Sequence, residues 1–371
     1  MSEHVKQHYV PQFYFRNFAR DERVCAYNLD NEEGYPPTPI SNICYENYFY
    51  GNSEEEKHLS KLESEFASVI HSIVDQISLE PIKTDPQAMY FLDLFISHTE
   101  ARTKAAREES SEFTQEFLEL AIEIGVESGE LDSEHLEMVR NDEIRLEGPD
   151  HEQRQLMSFY GPFYFADLHR VLIWNGTNRD FITSDHPVVF DNSRFKNEIE
   201  MNPVGYSATG LQVFCPLSNN LLLLLFDPMA YRVDANSNHT VIVKDEGVVE
   251  ELNKLQPINC LENCYYRDEP DKDWIDELYH DVKEYRPDES VRREHQKVYD
   301  SEKGREREFV FAGNPTIEFS PDLPFVTEVP TAQFSPLRNV EWHQTVREMY
   351  EEELESAKEM VENEDSIEDS K

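Results

Sequence analysis

Glycine, lysine and long apolar runs are all scarce in this chain of 371 residues. Only 12 glycines are present, none in a Gly-rich phosphate loop. A P-loop or a dinucleotide-binding turn is disfavoured, because both need glycine where backbone approaches phosphate. A Gly-x-Ser-x-Gly elbow, a His-Glu-x-x-His zinc helix and an EF-hand loop are absent too. The longest apolar stretch, Leu221 to Phe226, falls far short of the roughly 18–20 residues that a membrane helix requires. The opening residues are polar and include His4 and His8, where a secretory leader would carry its apolar region. Neither a membrane span nor a secretory leader is expected. The five cysteines, at 25, 44, 215, 260 and 264, are odd in number and lack Cys-x-x-Cys spacing. Reduced, packed thiols are therefore expected, although the four-residue spacing of Cys260 and Cys264 also admits a metal or redox pair.

The dominant feature is acidity. Asp and Glu number 76 against 34 Lys and Arg, a formal net charge of −42. Hydrophobic residues at 39% and aromatics at 12% still supply a packed core, so the charge does not imply a disordered chain. Residues 267–371 hold 30 acids and 14 bases, leaving 46 acids and 20 bases for residues 1–266. An acidic tail alone cannot explain this spread. With only 14 Lys beside 20 Arg, the pattern fits a surface adapted to molar salt, where the Debye length shrinks to about 3 Å and self-repulsion is screened. A cytoplasmic protein of a halophile is expected. The same charge opposes nucleic-acid binding, whereas a small anionic ligand escapes part of that repulsion.

Periodicity gives an α+β fold, with a mainly helical N-terminal part packed on a C-terminal antiparallel or mixed sheet. Pro11 suits the start of a short helix reaching residue 18. Residues 20–23 form a turn, 24–29 a strand, and Gly34-Tyr35-Pro36-Pro37 a loop. Leu59, Leu62, Phe66, Val69, Ile73 and Ile77 follow the three-four spacing of a helix over 54–78. Thr84-Asp85-Pro86 starts another, continuing through Arg102 to Ile124. Shorter helices are expected near 132–145 and 151–170. From Val171 the pattern changes to strands: VLIWN and FITSD, then a hairpin of LQVFCPL and LLLLLF, then 241–244. A helix over 246–262 and the CYYRD strand close a single domain over 1–268. Residues 269–371 read as an acidic extension with an isolated EFVFAG strand, a peripheral helix over 338–363 and a frayed terminus.

Three polar clusters stand out. His4, His8, Gln12 and Arg16 are spaced four apart, but Pro11 interrupts any single helix through them. If the segment before Pro11 is extended, His4 and His8 are about 13 Å apart and cannot share a metal ion. In either case His8 lies near a helix N-terminus, which attracts anions, and Arg16 can fork onto phosphate or carboxylate. A polar tether for the N-terminal strand explains His8 and Gln12 equally well. His98, Arg102 and Arg107 form the second cluster. A buried Arg102 must either pair with a carboxylate or be kept for a ligand. The third cluster is Thr183-Ser184-Asp185-His186-Pro187 at a strand end, where Asp185 could be a metal ligand or a base and His186 an acid or base, or the loop could merely satisfy a local Asx or Ser turn.

The segments HYVPQFYFRNF, the Arg-Thr of ARTK, FITSDHPVV, VFCPLS and ELNKLQ together resemble the domain of unknown function 4238 family over residues 4–268. Two positions depart from its pattern: His186 stands where the family has Asn, and Lys104 where Pro usually follows Arg-Thr. The resemblance implies no activity. The side chains themselves suggest a hydrolase-like or nuclease-like enzyme acting on a phosphate-containing substrate. In it, His8, Gln12 and Asp185 would be catalytic, and Arg16 and Arg102 substrate-binding. The alternative is a non-enzymatic binding or interaction module with a buried polar network. Convergence separates them: catalytic groups must come within hydrogen-bond reach of one substrate. The pattern names no cofactor and assigns no metal site.

Overall fold

The computed structural model describes residues 6–50, 53–141, 143–145, 150–198, 204–287, 292–300, 305–313, 317–346 and 348. Its α+β architecture is built on two sheets. The larger runs in the order Thr240–Val243, His169–Asn175, Leu221–Phe226, Gln212–Ser218, Val189–Asp191, with the first pair parallel and the others antiparallel. The Leu221–Phe226 strand shows why an unbroken apolar run is tolerated there. Leu221, Leu223 and Leu225 enter one core with Phe66, Ile70 and Phe95. Leu222, Leu224 and Phe226 enter another with Val249, Leu252 and Leu255 of the Glu246–Asn259 helix. Successive side chains point to opposite faces, so a strand covered on both sides must be apolar at every position.

The second sheet runs Glu33–Pro39, Arg23–Asn28, Asn263–Tyr266, Thr183–Ser184, all antiparallel. Val24, Ala26 and Tyr265 join the first core. Cys25, Tyr27, Cys264 and Tyr266 pack on Ile275 and Leu278 of the Lys272–Val282 helix. Arg23–Asn28 and Asn263–Tyr266 are more than 200 residues apart in sequence, so their pairing ties the N-terminal fifty residues to a segment beyond residue 260.

Several expectations are corrected. The first fifty residues are strand-bearing, and the long helices occupy the segment between them and the larger sheet. Gly34-Tyr35-Pro36-Pro37 is strand, not loop. Its prolines fit because it is an edge strand, where a missing N–H need not break the ladder. The helix expected to run from 86 to 124 is two, Pro86–Ala101 and Lys104–Glu127, because the Thr103 side chain leaves the helical path and caps Ala106 N at 3.2 Å. Residues 151–170 hold two short helices, Asp150–Ser158 and Gly161–Phe165, before the His169–Asn175 strand begins. EFVFAG is not isolated: Arg305–Gly313 pairs along its whole length with Arg292–Asp300.

Beyond residue 269 several described segments pack on or pair with the preceding ones. Ile275, Leu278 and Val282 are buried, each contributing roughly 1.5–3 kcal/mol by leaving water. Val326–Glu328 pairs with Tyr231–Val233. Arg338, its side chain 2% exposed, binds both oxygens of Asp167 and the carbonyls of Ala208 and Tyr164. The helix expected over 338–363 is helical at 340–346, and residues 349–371 lie outside the described ones. All five cysteines are free and buried, with Cys260 and Cys264 sulfurs 3.7 Å apart.

Candidate functional site

The Lys6–His8 strand pairs with Tyr45–Asn47, so the segment before Pro11 is extended. His4 lies outside the described residues. After Pro11 comes a helix of only one turn, Gln12–Arg16, whose Phe13, Tyr14 and Phe15 are buried. A helix this short has little dipole, which removes the helix-end attraction for anions expected from the sequence. What remains is a face bearing Gln12 and Arg16 beside His8. Together with Tyr50, Glu63 of the Ser53–Gln76 helix and Arg102, they line a groove of about 440 Å³.

Four of the five residues singled out from sequence therefore share one groove. His8 is half-buried; the Gln12 amide nitrogen is 3.4 Å from each ring nitrogen, and the ring hydrogen-bonds the Ser41 backbone. Burial pulls its pKa below the ordinary histidine value, more than Glu63 raises it. Burial thus favours the neutral imidazole, the form that can accept a proton. Arg16, half-exposed, meets Glu22 at 3.2 Å; such a surface pair is weak and exchangeable.

Arg102 is different. It is 2% exposed and bonds three separate segments: Nε donates to the Tyr50 hydroxyl (2.9 Å), and Nη2 to the His8 carbonyl (2.7 Å) and Glu63 (2.8 Å). Nη1 has no partner among the described residues. Burial opposes its charge, and Tyr50 with Glu63 overcomes that, leaving its pKa above the usual guanidinium value. The carboxylate pairing expected as one alternative is present, and it fixes the strand that carries His8. The neighbouring candidates are also engaged: His98 Nδ1 lies 3.0 Å from the Ser158 hydroxyl in the core, and Arg107 pairs with Glu46 at 2.7 Å.

Asp185 does not line this groove. Its carboxylate, 3% exposed, accepts the backbone N–H groups of Leu261 (2.8 Å), Glu262 (2.9 Å) and Asn263 (2.8 Å). Burial pushes its pKa up to about 6 in spite of those three bonds. The carboxylate shapes the turn that leads into Asn263–Tyr266, a strand in the middle of the second sheet. The expected convergence of Asp185 with His8 and Arg16 around one cavity is thus replaced by a separate position.

A second concavity was not anticipated from the sequence. It opens where the Pro86–Ala101 helix gives way to Lys104–Glu127. Glu100, Arg154, His186, Asp191 and Lys196 line a chamber of about 250 Å³, which shares Glu100, Arg154, Phe190 and Val204 with an adjoining one of about 360 Å³. Arg154 bridges Glu100 and Glu109, and Tyr206 donates to Glu100 at 2.8 Å. Thr103 Oγ1 meets His186 Nδ1 at 2.7 Å, and Lys196 pairs with Asp191 at 2.7 Å. No cluster of three metal-ligating side chains occurs among the described residues, nor does any described helix have the length and apolarity to cross a membrane.

Comparison with known families matches residues 6–270 to the model described as protein of unknown function, DUF4238. The chain belongs to this family. No curated protein and no solved structure matches it. In this DUF4238 chain, three of the segments that carry the resemblance meet in space: Arg102 and Thr103 at the helix break, the Ser184-Asp185-His186 loop, and Asn253 and Gln256 of the Glu246–Asn259 helix. Asn253 accepts from Ile182 N at 3.0 Å, and Gln256 accepts from the Ser184 hydroxyl at 2.8 Å. These contacts hold the second sheet to the Glu246–Asn259 helix. The sequence signal for the chamber was the His186 position itself, but its partner Thr103 is 83 residues away.

Proposed function

We propose that the groove around His8 takes a small phosphate-bearing ligand and that His8 serves it as a general base in a hydrolase-like reaction. The observation that carries this reading is an imidazole, its charged form disfavoured by burial, beside two guanidinium side chains lining one concavity. Arg16 would exchange Glu22 for the ligand's phosphate, Gln12 would hydrogen-bond it, and Arg102 would hold His8 in place. Asp185 has no part in this chemistry. A net charge of −42 favours a small ligand over a nucleic acid, since polyanions are repelled from such a surface. The test is hydrolysis of chromogenic phosphate mono- and diesters in molar salt, with His8→Gln and Arg16→Gln alongside. Turnover lost in H8Q, with raised KM in R16Q, supports the reading; no turnover by the wild-type protein refutes it.

A second reading, a binding module without catalysis, is favoured by one fact: Arg102 and Asp185 are engaged by protein groups. It predicts phosphate binding by calorimetry that H8Q leaves intact, with no turnover. For the setting we infer a halophile's cytoplasm, on the acidity and the low lysine count.

A further inference from the structure

We propose that the paired chambers at the helix break bind an uncharged nucleoside, its base in the larger chamber and its sugar hydroxyls in the smaller. This site is distinct from the His8 groove and does not depend on its chemistry.

Three observations carry the proposal. The first is charge balance. Glu100, Glu109 and Asp191 face Arg154, Lys196 and Arg286 around the smaller chamber. Arg154 and Lys196 are committed to these acids, and Arg286 to the carbonyls of Cys260 and Leu261. A charged ligand would meet a buried like charge without gaining a free counter-charge, which is costly in such surroundings. A neutral one would not.

The second is that one buried polar atom of the wall remains uncommitted. His186 is 5% exposed, and Thr103 holds its Nδ1. Asp191, 6% exposed, accepts Lys196 through Oδ1, and its Oδ2 has no partner among the described residues. Buried polar atoms are nearly always hydrogen-bonded, so this gap in the chamber wall suits a ligand hydroxyl. Burial also favours the uncharged form of both groups, lowering the pKa of His186 and raising that of Asp191.

The third is the aromatic wall of the adjoining chamber, formed by Tyr164, Phe190 and Tyr206. Phe190 and Tyr206 meet edge to face at 5.3 Å, and Tyr164 and Tyr206 at 6.3 Å. Flat heterocycles stack on such rings without sequence-specific contacts. A base joined to a hydroxylated sugar has both parts in the order in which the chambers adjoin.

Calorimetric titration of the full chain with adenosine in molar salt tests this, with ribose, AMP and inorganic phosphate as comparisons. Adenosine should bind more tightly than ribose or AMP, and inorganic phosphate should not compete with it. Tyr164→Leu and His186→Ala, each checked for native circular dichroism, should weaken adenosine about tenfold. Absence of adenosine binding at millimolar concentration, tighter binding of AMP than of adenosine, or an affinity that both variants leave unchanged would overturn the proposal.

Discussion

Replacing Asp185 by alanine tests whether this residue organises the fold or takes part in chemistry. The side chain is buried and its two oxygens accept three backbone N–H groups at 2.8–2.9 Å. Alanine would leave Leu261, Glu262 and Asn263 without acceptors. Removing one partner of a buried, hydrogen-bonded charge typically costs about 3–5 kcal/mol. Part of that is recovered here, because burial disfavours the carboxylate enough to push its pKa up to about 6. The low end, about 3 kcal/mol, is therefore expected. Asp185→Asn keeps the shape and one acceptor oxygen but turns an amide N–H₂ toward a backbone donor, so about 2 kcal/mol should be lost. Equilibrium unfolding in denaturant at pH 7.5 and molar salt measures both. If D185A unfolds within about 0.5 kcal/mol of the wild type while abolishing turnover, the structural assignment is wrong and Asp185 belongs to the chemistry.

Arg102→Lys should cost about 2–4 kcal/mol in the same unfolding assay, because one ammonium cannot reach Tyr50, His8 and Glu63 as the guanidinium fork does; faster hydrogen exchange over residues 6–8 should accompany it. For His8, burial lowers the pKa, so hydrolysis should rise with pH through a value below 6.5 and then stay flat. A limb centred above 6.5, or one that survives in H8Q, would remove His8 as the base. Gly161→Ala would place a methyl carbon 2.2 Å from Ser97 Cβ, where Gly161–Phe165 crosses Pro86–Ala101. Such overpacking should cost about 1–3 kcal/mol, read as a lowered Tm. Dialysis from molar salt to dilute buffer should diminish the helical circular dichroism signal, since self-repulsion is then unscreened; an unchanged spectrum would contradict the halophilic reading.

What the sequence conveys depends on whether a feature is local. The hairpin of Gln212–Ser218 and Leu221–Phe226 was legible because a buried strand needs a continuous apolar run, and Asp85 with Pro86 announces its helix through capping and a fixed φ. Asp85 does accept from Gln87 and Ala88 N. The Glu33–Pro39 strand was hidden because its prolines argue against a strand unless its edge position is known. The break at Arg102 was hidden because neither Gly nor Pro marks it; only Thr103, a capping residue inside an otherwise helical pattern, carried the signal. Of the site, the placing of Gln12 and Arg16 on one face of a short helix was legible from their four-residue spacing. The separation of Asp185 was not, since its three donors lie 76 to 78 residues further along the chain.

That same break explains how two concavities can share so little sequence. Within a continuous helix, neighbouring residues lie about 100° apart around one axis and would stay related to one another by its turn. Where the axis stops, Arg102 reaches toward the N-terminal strand and closes the groove through His8 and Glu63, while Thr103 caps the next helix and holds His186 in the chamber. Each residue satisfies a buried group of its own cavity, so neither can be replaced by a residue chosen for helix propensity alone. The double substitution Arg102→Ala, Thr103→Ala would lengthen the helical pattern yet leave His8 without its carbonyl donor and His186 without its hydroxyl. Helix content should therefore hold or rise by circular dichroism while stability falls. A variant that gained helix and kept full stability would show that the break is incidental.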